Sequence, residues 1–233
     1  NNKYDDMSAL TALDYAKNKH LLLPDIQREY CWDISEIERL FESMVDDYPV
    51  GSCIFWKTNK KTINREKPNL YYFLRDFKQG VSKNEKAPEA INEDGDYYIV
   101  LDGQQRITSM NIALYGSYTY YKGGRGHNRS NPKSWVKKEL YYDLGYYEEK
   151  EEDDEKPSKR FTFLTEDESK VGNFYKVKTL LTYDTNEDFL EWMISQKFNK
   201  ESKRELSTLY KRLHNSQENG LVHYYCIYED SYD

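Results

Sequence analysis

Asp102-Gly103-Gln104-Gln105-Arg106 places a carboxylate, a glycine, two amides and a guanidinium in consecutive positions. They sit between a strand-like run, Tyr97–Leu101, and a helix-like run that begins at Ile107. Amides that open a helix lack partners within it and carry the positive end of the macrodipole, so this order of elements forms an anion-binding corner. In such a corner Gly103 lets a phosphate approach. The backbone N–H groups of Gly103 to Gln105 donate to it, and Arg106 grips it with two parallel charge-assisted bonds. Asp102 would then bind Mg2+ or another divalent cation that bridges phosphates, or orient a water or ribose hydroxyl. An ordinary capped helix fits the same residues, because Asp102 and Gln105 also match an N-cap and its N3 partner.

A second cluster is Pro24, Gln27, Arg28, Tyr30 and Trp32. Alternation in an extended segment puts Arg28, Tyr30 and Trp32 on one face, with Gln27 and Glu29 on the other. Aromatic rings beside a cation suit the stacking of a base next to a phosphate. The same rings serve equally as core anchors, with Arg28 in a nearby salt bridge. Arg125, His127 and Arg129 lie in a glycine-rich loop, which either touches a nucleic-acid backbone or is simply a mobile loop. None of the four histidines has the spacing of a metal-binding helix, and no Ser-His-Asp set can be assembled.

Around these clusters, helical spacing predicts a short helix over 8–17, then the apolar run Leu21–Leu23 and an extended segment from Asp25 to Trp32. Ser35 and Glu38 read as a capping box for a helix whose apolar positions are Ile37, Leu40, Phe41, Met44 and Val45. Ser52–Trp56 reads as a buried strand and 57–96 as a polar stretch with one short strand at Leu70–Leu74. The helix after Arg106 is expected to run to Leu114 and to bury Ile107, Met110 and Leu114. Strands follow at 138–144 and 161–164, helices at 187–196 and 201–214 closed by Asn219-Gly220, and a strand at 221–227. The charged run 148–156 reads as a solvated or disordered connector. Tyrosine doublets such as Tyr97-Tyr98 and Tyr141-Tyr142 are expected to put one ring inward and one outward.

With 233 residues, 38% hydrophobic and 32% charged, the chain is expected to form one compact unit with a polar appendage. A net charge of −7 argues against a basic glove around nucleic acid and leaves room for a local basic groove. Cys31, Cys53 and Cys226 have neither disulfide-framework nor zinc-knuckle spacing, which points to a reducing cytosol. No apolar run approaches the roughly 20 residues that span a bilayer, so no membrane partner is expected.

The two clusters together, Pro24-x-x-Gln27-Arg28-x-Tyr30-x-Trp32 and Tyr97 to Arg106 with Ile107-Thr108 behind, resemble the N-terminal domain family of GmrSD-type modification-dependent restriction endonucleases. Tyr48-Pro49-Val50-Gly51-Ser52 before a hydrophobic strand fits the same pattern. The resemblance implies an α+β fold. A ParB/sulfiredoxin-like small mixed sheet with flanking helices would occupy residues 1–116, and a strand insert, acidic loop and helical second part residues 117–233. It implies a cytoplasmic bacterial anti-phage protein that binds and hydrolyses a nucleoside triphosphate, GTP among the candidates, with Mg2+ or another divalent cation, and acts on foreign, often modified DNA. By position, Gln27, Arg28, Gly103, Gln104, Gln105 and Arg106 would bind the nucleotide. Asp102 and Arg106 would be catalytic, and Asp102 would hold the metal. On the residue chemistry alone, and not by family position, DNA would meet Tyr30, Arg125, His127 and Arg129. Ile26 and Glu29 depart from the aromatic residue and the proline usual in the first motif. The family's Asn-x-x-Gly element and His-Asn-His-like nuclease domain are not seen before Asp233, so a fragment is expected, with a nuclease domain or partner subunit outside it and a homo-oligomer among the allowed arrangements. Two further readings remain open: a DNA-recognition module without turnover, and a ParB-like phosphodiesterase.

Overall fold

The computed structural model describes residues 3–25, 29–148, 159–215 and 222–226. Along the first half run β1 (Lys3–Met7), α1 (Ala9–Lys17), β2 (Leu21–Pro24), α2 (Ile34–Val45), β3 (Ile54–Asn59), α3 (Lys60–Glu66), β4 (Leu70–Tyr71), β5 (Asp76–Lys78), β6 (Asp96–Asp102) and α4 (Gln104–Tyr115). The second half holds β7 (Ser117–Tyr121), β8 (Trp135–Asp143), β9 (Phe161–Leu164), α5 (Glu166–Ser169), β10 (Phe174–Lys176), α6 (Asn186–Ser195), α7 (Lys200–His214) and β11 (Val222–Cys226). Short 3-10 helices lie at Pro132–Ser134 and Val177–Thr182. The fold is thus α+β, as expected.

Two mixed sheets carry it. The first has the order β1-β11-β3-β6-β2-β4; in the second, β10-β8-β7-β5 form a path and β9 pairs with β8. Both draw strands from either side of residue 116. β11 lies between β1 and β3, and β5 pairs in parallel with β7. Strands from the two parts thus share each sheet, and without β11 the neighbouring edges of β1 and β3 would be left unpaired. Among the described residues the larger of two apolar clusters runs from Met7 to Val222, and the smaller gathers Leu22, Ile63, Leu70 and Ile91.

The tyrosine doublets correct the expected one-in, one-out pattern. Tyr97 and Tyr98 are both buried, because β6 is covered on both faces. Tyr97 packs with Leu22, Ile63, Leu70 and Ile99, and Tyr98 joins the main core. The period of two survives, but over Tyr97–Val100 neither face meets water.

Helix α2 is capped two residues earlier than the sequence suggests. Asp33 accepts from Glu36 N, and Glu36 accepts in return from Asp33 N. Glu38 is instead buried and accepts from Phe163 N at 3.0 Å and from Lys159. The stretch 57–96 holds α3 and β5 besides β4; α3 is capped by Asn59. The run 149–158 and Asn219-Gly220 lie outside the described residues.

Candidate functional site

The corner begins where β6 ends. Asp102 is the last residue of that strand and faces Ile54 of β3 across the ladder. Gly103 is the N-cap of α4, with φ 93° and ψ 13°. A Cβ there would lie 2.5 Å from Cys53 Sγ and 3.0 Å from Cys53 Cα, so both the left-handed backbone and the close approach call for glycine. The exposed Asp102 accepts from Gly103 N at 2.8 Å, and no side chain caps the helix. The geometry thus decides one question left open by the sequence: Asp102 does not cap α4.

Arg106, one turn into α4, reaches back to a different segment. Its Nη1 donates to Val50 O at 2.7 Å and its Nη2 to Ser52 O at 2.6 Å. Gly51, with φ 79°, lies under the guanidinium, and a Cβ on it would sit 1.8 Å from Nη1. Val50-Gly51-Ser52 is therefore a cradle for Arg106, which explains why these residues accompany the corner. A phosphate gripped by both arms of Arg106 would have to compete with two carbonyls. Burial pushes the Cys53 thiol up to about 11, with Arg106 pulling it down and Asp102 pushing it up. That thiol stays protonated and is no nucleophile.

Gln105 ties the second motif to the first. Its Nε2 donates to Glu29 O at 3.1 Å, and its Oε1 accepts from Cys31 N at 3.1 Å. Between them, Tyr30 is only 8% exposed; it bonds Ser109 Oγ at 2.9 Å and meets Phe77 edge to face at 4.9 Å. Burial holds its phenol well above the ordinary range. Tyr30 is a core anchor and not an exposed stacking platform, which corrects its expected contact with DNA. Trp32 packs half-buried on the same core. Gln27 and Arg28 lie outside the described residues. Beside this segment is a cavity of about 470 Å³ lined by Pro24, Glu29, Tyr71, Lys83 and the buried Gln104, among others, with Tyr30 at its wall. Gln105→Ala removes two bonds that hold residues 29–31, each worth about 0.5–1.5 kcal/mol. A matching fall in the urea midpoint, with faster amide exchange at Tyr30 and Cys31, is the expected result.

The other DNA contacts expected from sequence lie on the β7–β8 hairpin. Its loop is fastened by its own hydrogen bonds. Tyr121 OH donates to His127 O at 2.8 Å, Asn128 N to Ser134 Oγ at 3.1 Å, and Trp135 Nε1 to Arg129 O at 2.9 Å. The Arg129 guanidinium lies 5.0 Å from the Tyr121 ring centre. Arg125, His127 and Arg129 are all exposed. The hairpin does not share the elements that form the corner. Sequence reasoning missed two signals here: the partnership of Gly51 with Arg106, and the complete lack of acidic residues from Gly103 to Lys138.

Among the described residues, no three His, Cys, Asp or Glu side chains gather as metal ligands. No helix among them is long and apolar enough to cross a membrane. Uncharacterized protein MJ0686 of Methanocaldococcus jannaschii is 30% identical over 112 residues, covering 48% of this chain and 17% of that protein. The chain thus aligns with only a small part of that relative's length. The family model described as GmrSD restriction endonuclease, N-terminal domain, matches residues 10–233. With the match running through nearly its whole length, the chain belongs to the GmrSD restriction endonuclease N-terminal domain family.

Proposed function

We propose that this domain binds a nucleoside triphosphate, GTP among the candidates, and hydrolyses it as the sensor part of a restriction endonuclease acting on foreign or modified DNA inside a bacterial cell. The observation that carries the reading is the corner itself: an exposed carboxylate, Asp102, beside a left-handed Gly103 that opens α4 without a side-chain cap. Helix starts of this kind offer oriented amides to phosphate. A ParB/sulfiredoxin-like relationship, implied by the family resemblance, fits a small mixed sheet with such a corner.

A Mg2+ held mainly by water and substrate phosphates needs only one or two carboxylates, so Asp102 fits it although no ligand cluster is present among the described residues. When bound, the ion supplies charge neutralisation at the phosphate oxygens. Asp102 holds it or orients the attacking water. Gly103 and Gln104 present the helix start to the phosphates. Gln105 and Arg106 act chiefly by fixing residues 29–31 and 50–52 around the corner. Gln27 and Arg28 of the first motif supply a second amide and cation. Catalysis by such a site is positioning and electrostatics.

Asp102→Asn separates this role from a structural one. The amide oxygen keeps the acceptor for Gly103 N–H, so the melting temperature stays unchanged. Phosphate release by the full-length protein falls by about 10²-fold or more. Arg106→Ala lowers both, because two carbonyls lose their donor. Wild-type turnover in Asp102→Asn would place the chemistry elsewhere.

A further inference from the structure

The chain carries 41 acidic residues, yet none falls between Gly103 and Lys138. That stretch contains Lys122, Arg125, Arg129, Lys133, Lys137 and Lys138 on the hairpin, besides Arg106 in the corner. A segment so biased, inside a chain of net charge −7, is a local reversal of sign. Self-repulsion among these cations opposes folding, and an anionic partner would relieve it.

The structure gathers them on one unit. Lys122, Arg125, Arg129, Lys133 and Lys137 are exposed, and none of the five has an ion pair among the described residues. Lys138 alone is taken, by Glu168 at 3.2 Å. Lys78 of the adjacent β5 adds a further charge 4.2 Å from the Trp135 ring centre. Arg129 lies 5.0 Å from the Tyr121 ring centre and 5.8 Å from that of Trp135. The two rings thus hold cations in place and are not bare platforms for an unstacked base. At the tip, Gly123, Gly124 and Gly126 have positive φ and nothing within 4 Å of an added Cβ, which leaves the backbone open to close approach.

From these features we infer that the β7–β8 hairpin is a docking surface for the phosphate backbone of duplex DNA, and that it binds without regard to base sequence or modification. Unpaired Lys and Arg neutralise phosphates and release counterions, whereas single-strand binding would need exposed ring faces. The acidic remainder of the chain repels the duplex elsewhere, so the hairpin also sets its orientation. Position supports this role: a Cβ on Gly80 would lie 3.2 Å from Arg129 Nη1, and Gly80 also lines the cavity beside the first motif. A duplex on the hairpin is therefore beside the cavity that Gln104 also lines. The inference rests on the DNA-acting part of the proposed function and is independent of nucleotide hydrolysis.

The test measures binding of the full-length protein to a labelled unmodified duplex and its cytosine-modified counterpart across a salt series. Wild type is compared with Arg125→Ala/Lys133→Ala/Lys137→Ala and with Arg125→Lys, which keeps the charge. The triple variant should lose about tenfold or more in affinity for both duplexes alike. The slope of log affinity against log salt should become shallower by about 2 to 3. Melting temperature and DNA-free phosphate release should stay at wild type, and Arg125→Lys should bind normally. Unchanged affinity and slope in the triple variant would overturn the hairpin assignment while leaving the DNA-acting reading intact. A loss confined to the modified duplex would also overturn it. Failure of wild type to bind either duplex would sink both readings together.

Discussion

Gly103→Ala lowers the stability of the domain by about 2 kcal/mol or more, because two costs add. The left-handed backbone costs a residue with a Cβ about 1–2 kcal/mol. The new methyl also meets Cys53 at 2.5 Å from Sγ and 3.0 Å from Cα. A side chain can rotate away, but the Cα belongs to the backbone leading into β3, so β3 and the start of α4 must separate. For a chain of this size each kcal/mol corresponds to about 2–4 °C in melting temperature. Two controls make the result specific. Cys53→Ala in the Gly103→Ala background removes the Sγ contact and restores only part of the loss. Gly123→Ala, at φ 66° with open space around it, carries the backbone cost alone. Equal melting of Gly103→Ala and wild type would mean that the corner does not have this geometry. Phosphate release should fall as well, since the same shift displaces Asp102 from the helix start.

The corner was legible because its chemistry is local. Strand, glycine and helix follow one another in sequence, and the left-handed turn at Gly103 is what such a junction demands. The long amphipathic helices α2 and α7 were legible for the same reason, since their apolar stripes repeat over three or more turns. What failed to show was everything decided by distant partners. Glu38 looked like a cap residue because spacing alone cannot reveal that Phe163 N, 125 positions away, waits for its carboxylate. Asp102 looked like an N-cap because a side chain bonding only the next amide has the same sequence as one bonding two or three further on. Tyr30 looked like a stacking ring because alternation assigns a face without saying what covers it, and here Phe77 and Ser109 cover it. Strands β5 and β10, three residues each, are too short to carry a period of two. Their existence is fixed by the neighbours β7 and β8.

Arg160→Met should be the most destabilising of the substitutions proposed, at about 3–5 kcal/mol, because it strands a buried charge. Arg160 donates to both oxygens of Asp46, at 2.6 and 2.5 Å, and to Glu205 Oε1 at 3.0 Å. The Glu205 side chain is only 5% exposed and also accepts from the phenols of Tyr142 and Tyr147. Two neutral donors cannot replace a cation in that setting. Glu205→Gln is milder, since Arg160 keeps Asp46. The pH dependence follows from the shifts in this cluster. Hydrogen bonding to Arg160 holds the Asp46 carboxyl below its ordinary value, against the opposing effect of burial. Its contribution is present above the unfolded value near 3.9 and is lost as pH falls through the lower folded value. Burial, then Glu205, push the Tyr147 phenol up to about 12. That contribution is complete below the unfolded value near 10 and disappears as pH rises toward 12. Urea midpoints of wild type should therefore fall at both ends, and Arg160→Met should lie lower throughout with a flatter acid limb. The cluster also bears on the corner. Asp46 is followed by Asp47, which pairs with Arg212, and by the Tyr48–Ser52 turn whose carbonyls cradle Arg106. Loosening Asp46 should therefore reach Arg106 through six residues of backbone. Phosphate release in Arg160→Met should drop below wild type even at temperatures where the variant remains folded by circular dichroism.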